Sequence, residues 1–188
     1  MITISSIKEL PSFDLSKKIA LTIGSFDGVH LGHLALFKRL REKVGEKGIT
    51  AVFTFKNHPS TLLSGRPPVK LLTTPEEKLH LLKQAGIDLV ILVEFTPEFM
   101  AQPFDLFLKN LKSHLPFSFL VLGEGAAFGK NKQGDKAHVS QLAKELKCEV
   151  EYLQKTTLNG QPISSGTIRK LIAEGNLALA SSLLGRPL

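Results

Sequence analysis

Short apolar runs rich in β-branched residues and leucine alternate along the chain with segments whose apolar positions recur at helical spacing. Ile19–Ile23, Thr50–Phe55, Leu89–Val93, Phe117–Leu122 and Glu149–Leu153 read as strands. His33–Val44, Pro75–Gln84, Pro103–Leu111 and Val139–Leu146 read as the helices between them. Near the end, Gly175-Asn176 separates two short helices, Ile168–Glu174 and Leu177–Leu184, and Gly185 stops the second. This alternation predicts an α/β domain with a parallel sheet of about five strands and helices on both faces. Boundary residues agree: Thr74 is placed to cap a helix, Pro75 opens it, Glu76 and Glu77 fill its first turn, and Gly86 follows it. Lys56–Leu72, rich in proline, serine and glycine, reads as a mobile surface segment.

Sheets of this kind hold ligands beyond the carboxyl ends of their strands, and the turn after the first predicted strand is the most informative stretch of the chain. It reads Gly24-Ser25-Phe26-Asp27-Gly28-Val29-His30-Leu31-Gly32-His33. A strand, a glycine-marked turn and two histidines at a helix start form a layout for holding phosphates. A helix N-terminus offers unpaired N–H groups and the positive end of its dipole. Histidines there add hydrogen bonds or charge where a phosphoryl group builds negative charge. Gly24 and Gly28 permit close backbone approach, Gly32 leaves room beside the second histidine, and Asp27 can orient a histidine or cap the turn. No residue in the turn reads as a nucleophile, which favours direct displacement.

Three further segments carry candidate chemistry. Ser164, Ser165, Gly166 and Thr167 precede a helix with Arg169 on its first turn, which suits a second phosphate clamp. Gly123–Asp135 is glycine-rich, basic before Asp135, and follows a buried strand, so it can wrap a ligand. Phe55-Lys56-Asn57-His58-Pro59 ends the second strand and can line a pocket for a flat apolar group.

Composition narrows the class. The 188 residues, 43% hydrophobic and 22% charged, are enough for one globular domain with a real core. A formal net charge of +7 suits an anionic ligand such as a nucleotide. The basic residues are scattered, tryptophan is absent and Tyr152 is the sole tyrosine, so no specific nucleic-acid partner is expected. With Cys148 the only cysteine, an intrachain disulfide is excluded and a reducing compartment is expected. Met1–Lys17 lacks the apolar core of a signal peptide and no run is long enough for a bilayer, so the expected location is the cytoplasm, without membrane partners.

In this order the four segments resemble the adenylyltransferase domain of bacterial FAD synthetases, over nearly the whole chain from Ile19 to Pro187. The pattern His30, Leu31, Gly32, His33 is similar to that of the wider nucleotidylyltransferase superfamily. Phe26-Asp27-Gly28-Val29 is narrower, as is Leu184-Gly185-Arg186-Pro187, which resembles the bridge into the riboflavin kinase module of the bifunctional enzymes. The resemblance implies a Rossmann-like nucleotidylyltransferase fold across residues 1–188, the kinase module being absent from this chain and available as a further module or partner. It implies transfer of AMP from ATP to FMN, giving FAD and pyrophosphate, with Mg²⁺.

The resemblance also implies roles. His30 and His33 would stabilise the phosphates of ATP in the transition state, while Gly24, Phe26, Asp27, Gly28 and Gly32 shape the nucleotide pocket. Ser164, Ser165, Thr167 and Arg169 would hold the triphosphate from a flexible loop, with Ser165 and Arg169 acting in catalysis. His58, Pro59, Gly125 and Phe128 would lie near the flavin. No acidic cluster marks metal ligands. The chain departs from the family where an acidic residue or asparagine followed by phenylalanine is replaced by Gly125 and Ala126, and where a third hydroxyl is replaced by Gly166. Two other readings remain open on the residues: an adenylyl- or cytidylyltransferase for a different phosphorylated small molecule, and a flavin- or nucleotide-binding module without turnover.

Overall fold

Every residue of Ile19–Ile23, four apolar residues and Thr22, is buried, as expected for a strand in a sheet covered on both faces. In the computed structural model, which describes residues 1–10, 16–62 and 69–188, this run is a central strand. The strands are β1 (Ile2–Ile4), β2 (Ile19–Ile23), β3 (Ile49–Phe55), β4 (Leu89–Val93), β5 (Phe119–Gly123) and β6 (Glu149–Leu153). They form one six-stranded sheet in the order β1-β4-β3-β2-β5-β6, with every neighbouring pair parallel. The expectation of about five strands is corrected to six. The extra strand, β1, is three residues long and pairs with β4 at the sheet edge. It buries only Ile4 fully and so leaves no periodic signal.

Alternating side chains divide the core into two layers. Ile19, Leu21, Phe53, Ile91 and Leu122 face one side, where α4 (Phe104–His114) and α5 (Lys136–Glu145) supply Phe107, Leu108, Leu111, Val139 and Leu142. Ala20, Val52, Val90 and Val121 face the other side, under α1 (Leu31–Val44) and α2 (Pro75–Gln84). Thr74 closes a full capping box with Glu77 at the start of α2. The short α3 (Pro97–Ala101) and the antiparallel pair β7 (Thr157–Leu158) and β8 (Gln161–Pro162) have too few residues to show a period.

A third apolar cluster joins α6 (Ser165–Ala173) to α7 (Leu177–Leu184) through Ile163, Ile168, Leu171, Ala180, Leu183 and Leu184, with Leu31 and Leu72 packed against it. Of the segment expected to be mobile, residues 63–68 lie outside the described residues. Its start forms a 3₁₀ turn at Pro59–Leu62, and Leu72 is fixed by a hydrogen bond to Asp27.

Chain order reverses beside β2: β3 and β4 lie to one side and β5 and β6 to the other. The crevice beyond the carboxyl ends of β2 and β5 is therefore the switch point where α/β sheets bind ligands. At the opposite end, Asp88 Oδ2 accepts hydrogen bonds from Thr50 N (2.8 Å), Thr50 Oγ1 (2.9 Å) and Arg41 Nη2 (2.6 Å), tying β3, β4 and α1 together. Asp88→Ala is expected to lower unfolding free energy by about 1–2 kcal/mol in urea titration while leaving ligand binding at the far crevice unchanged. Unchanged stability would mean that water satisfies Thr50 and Arg41 equally well.

Candidate active site

The turn between β2 and α1 is strained. Phe26, Gly28 and Val29 have φ of 45°, 82° and 40°. For the β-branched Val29 this is a true outlier, costing about 1–3 kcal/mol, so the surroundings must enforce it. The Phe26 side chain is buried beneath the turn, edge-on to His33 and tilted against Phe37, with ring centroids 5.1 and 5.2 Å away. It therefore shapes the crevice from below.

Asp27 is not free to orient a histidine. Its carboxylate is buried, accepting hydrogen bonds from Leu72 N at 2.9 Å and Thr73 N at 3.3 Å and pairing with Arg169 Nη1 at 2.6 Å. Its backbone carbonyl accepts from Ser165 Oγ at 2.8 Å. The serine-rich segment is thus bolted to the histidine turn. Ser165, Gly166, Thr167 and Arg169 belong to helix α6, with Arg169 on its second turn, which corrects both the flexible loop and the first-turn placement. Ser164 caps this helix and its hydroxyl also bonds Thr167 Oγ1 at 2.9 Å. A Cβ on Gly166 would meet only Ser164 Oγ, at 3.7 Å, so a hydroxyl side chain has room there.

His30 caps α1 with its own ring: Nδ1 accepts from His33 N at 3.3 Å. An accepting Nδ1 puts the proton of the neutral ring on Nε2, leaving that nitrogen a donor. The two imidazoles stack at 3.5 Å between centroids, 17° from parallel. Helix α1 begins at Leu31, so His33 lies within its first turn instead of opening it. The expected purpose of Gly32 is also corrected: a Cβ there would lie 3.2 Å from the His30 ring, so it makes room for the first histidine. Burial lowers the His30 pKa to about 4. Burial, with the nearby His30 and Lys78, holds His33 well below its ordinary value, and His33 Nδ1 is buried with no hydrogen-bond partner among the described residues. Both rings are neutral hydrogen-bonding groups at pH 7 in the free protein.

Lys78 was not singled out from the sequence. It is buried in α2, and Nζ donates to the carbonyls of Ser25 and Phe55, each at 2.8 Å. Ser25 O also accepts from Thr54 Oγ1 at 3.0 Å. The lysine joins the carboxyl ends of β2 and β3 beneath the crevice, and burial lowers its pKa to about 8. The available signal was a lysine four residues before Leu82, on the inward stripe of an amphipathic helix.

Beside the turn opens a cavity of about 720 Å³, of a size to bury most of a small organic ligand. Phe55, Phe95, Phe99, Phe107 and Phe128 line it, with Ile23, Pro59 and Ala126. Its floor includes Gly24 and Ser25, and its rim carries Gln102, Lys130, Asn131 and Lys132. The glycine-rich loop that walls it is held by hydrogen bonds exchanged between Phe128 and Gly134 and by Lys130 N bonding Gln102 O. Two expected residues do not line this cavity. Gly125, at φ 80°, has open space where a side chain would project. His58 bonds Ser60 Oγ at 2.6 Å, and its pKa is lowered by burial and then by the charge of Arg169.

The parallel sheet, its switch-point crevice and the two helix starts that converge on Asp27 define a Rossmann-like nucleotidylyltransferase fold. The chain matches the family model for FAD synthetase over residues 13–167, and it belongs to that family. It is 37% identical over 170 residues to a bifunctional riboflavin kinase/FMN adenylyltransferase from Haemophilus influenzae, covering 89% of this chain and 55% of that protein. It is 39% identical over 176 residues to the protein of the same description from Listeria monocytogenes, covering 93% and 55%. The chain thus spans about half the length of the curated relatives it matches. Among solved structures, one described as a macrolide-efflux protein from Streptococcus pneumoniae matches with a TM-score of 0.84 and 25% identity, over 100% of this chain and 60% of that one. Thermotoga maritima TmcAL bound with alpha-thio ATP shares the fold alone, with a TM-score of 0.57 and 15% identity over 87% of this chain and 52% of that one.

Two outcomes follow from the buried groups. In NMR titration of the free protein, the His30 and His33 rings are expected to stay neutral from about pH 8 down to about pH 5.5. A midpoint near 6.5 for either would contradict their desolvation. Lys78 has a lowered folded pKa, so the unfolded chain binds more protons between about pH 8 and 10.5. Stability of the native protein relative to Lys78→Met is therefore expected to rise across that window, by up to about 3 kcal/mol. A flat difference would mean the ammonium is well solvated.

Proposed function

We propose that this chain transfers AMP from ATP to FMN, forming FAD and pyrophosphate. The observation that carries this reading is the phenylalanine-lined cavity that shares Gly24 and Ser25 with the histidine turn. A flat apolar ring system fits that cavity, and its phosphate then reaches the crevice where the starts of α1 and α6 meet. An acceptor without a flat apolar part would leave the aromatic wall without use. Family membership and the relatives' description as FMN adenylyltransferases support the same choice of substrates.

In this reading an oxygen of the FMN phosphate attacks the α-phosphorus of ATP. A new P–O–P bond forms, the bond between the α-phosphorus and the bridging oxygen breaks, and pyrophosphate leaves. The attacking phosphate is anionic at neutral pH, so no strong general base is needed. Neutral His30 donates from Nε2 to the phosphate chain, and His33 lies stacked behind it. The gathering negative charge raises the pKa of both rings and strengthens their bonds as charge shifts to the leaving group. Arg169 and the first N–H groups of α6 meet the outer phosphates.

The residues present do not form a cage for Mg²⁺. No group of three or more histidine, cysteine or acidic side chains suited to a metal occurs among the described residues, and Asp27 is already paired with Arg169. Mg²⁺ is proposed to arrive on the phosphates of ATP, as such ions commonly do. FMN is proposed to come from a riboflavin kinase activity, such as the second activity named for the relatives.

The test is incubation of the purified chain with ATP, Mg²⁺ and FMN, with chromatography of FAD and pyrophosphate and with riboflavin as a parallel substrate. FAD from FMN and no FMN from riboflavin is the expected result; ATP binding without FAD would sink the reading. His33→Ala is expected to lower kcat by about 100-fold or more with FMN affinity changed only a few-fold. Equal losses in both would remove the transition-state role.

A further inference from the structure

Three consecutive residues at the end of α7 grip the strained turn from outside. Leu184 Cδ2 lies 3.4 Å from where a Cβ on Gly28 would be. Gly185 ends α7 in the left-handed conformation, at φ 74°, and a Cβ there would lie 2.5 Å from Leu31 Cδ2. The next residue, Arg186, donates from Nη1 to the backbone carbonyl of Val29 at 3.2 Å. That carbonyl belongs to the peptide joining strained Val29 to His30, the cap of α1. The guanidinium is half-buried, its charge met at longer range by Glu77.

We infer that Arg186 is a positioning residue for His30, acting through the Val29 carbonyl to hold the Val29–His30 peptide in its strained orientation. Val29 N–H bonds only weakly within the turn, to Phe26 O at 3.3 Å. Left alone, a valine at this φ relaxes toward negative values, and that rotation swings the following peptide and the His30 ring with it. A charged donor on the carbonyl opposes the rotation. Gly185 is what brings Arg186 there, since any side chain at 185 collides with Leu31 and is strained by the backbone as well.

The inference rests on the proposed adenylyl transfer, and its test separates the two. Arg186→Met is expected to fold, to bind ATP and FMN within about threefold of the native chain, and to lose about 10- to 50-fold in kcat, with Arg186→Lys restoring most of the loss. In a Val29→Gly background, where the positive φ carries no strain, the same Arg186→Met change is expected to cost no more than about threefold. The His30 imidazole resonances should shift in Arg186→Met without any ligand. A folded Arg186→Met with unchanged kcat and unshifted resonances overturns the inference. So does a raised KM for ATP at constant kcat, which makes Arg186 a nucleotide ligand, and so does an equal loss in the Val29→Gly background. Failure of Arg186→Met to fold overturns it as well, because Arg186 then supports the α6–α7 cluster and not the turn. If the native chain makes no FAD, the functional reading fails, while the His30 resonances and their response to Val29→Gly still decide the brace.

Discussion

The buried carboxylate of Asp27 is the contact on which the site depends. Its carboxylate and carbonyl together join the turn after β2, the residues leading to α2 and the start of α6. An ion pair this buried adds little net stability beyond well-packed apolar residues, because both charges lose water. Its use is geometric. Removing Arg169 would leave a buried anion without its direct ion-pair partner, which favours keeping the two helix starts together. Two N-termini from different parts of the sequence thereby face one crevice, and one of them reaches it through a single side chain.

Desolvation sets the electrostatics within that frame. The stacked imidazoles are neutral, and the nearby cations are either buried against carbonyls, as Lys78 is, or paired, as Arg169 is. A triphosphate entering such a site meets donors and dipoles that are already oriented. The favourable interaction grows as negative charge develops, which is the property that separates transition-state stabilisation from tight ground-state binding.

Much of this was legible in the sequence because it depends on local order. Four of the five longer strands are mostly apolar runs and β6 alternates polar with apolar residues, α2 has its capping box, and the histidine turn has a compact signature between a strand and a helix. Less legible was what depends on contacts far along the chain. Nothing in the spacing of Asp27 and Arg169 says that they meet across 142 positions. Asp27 therefore read as a partner for histidine or a cap of the turn, and the first residues of α6, Ser165–Thr167, as a segment ahead of the helix. Likewise β1 is too short to show a period, and Lys78 looks like any helix-surface lysine until α2 is docked. His58 and Pro59 are neighbours in sequence, yet a 3₁₀ turn starts between them; Pro59 lines the cavity and His58 does not. Adjacent residues in a turn need not share a face.

The aromatic cavity and the histidine turn meet at Gly24 and Ser25. The carbonyl of Ser25 is held by Thr54 and Lys78, so one fixed peptide sets the offset between a ring bound on one side and phosphates bound on the other. For a displacement without a covalent intermediate, that offset governs the approach of the attacking oxygen to the phosphorus, and small errors in it are costly. A buried lysine bonded to two strand-end carbonyls is a stiff way to fix it. The charge that Lys78 keeps at neutral pH, despite its burial, also favours the anions gathered above it. The same side chain therefore links the rigidity of the sheet to the electrostatics of the proposed transfer.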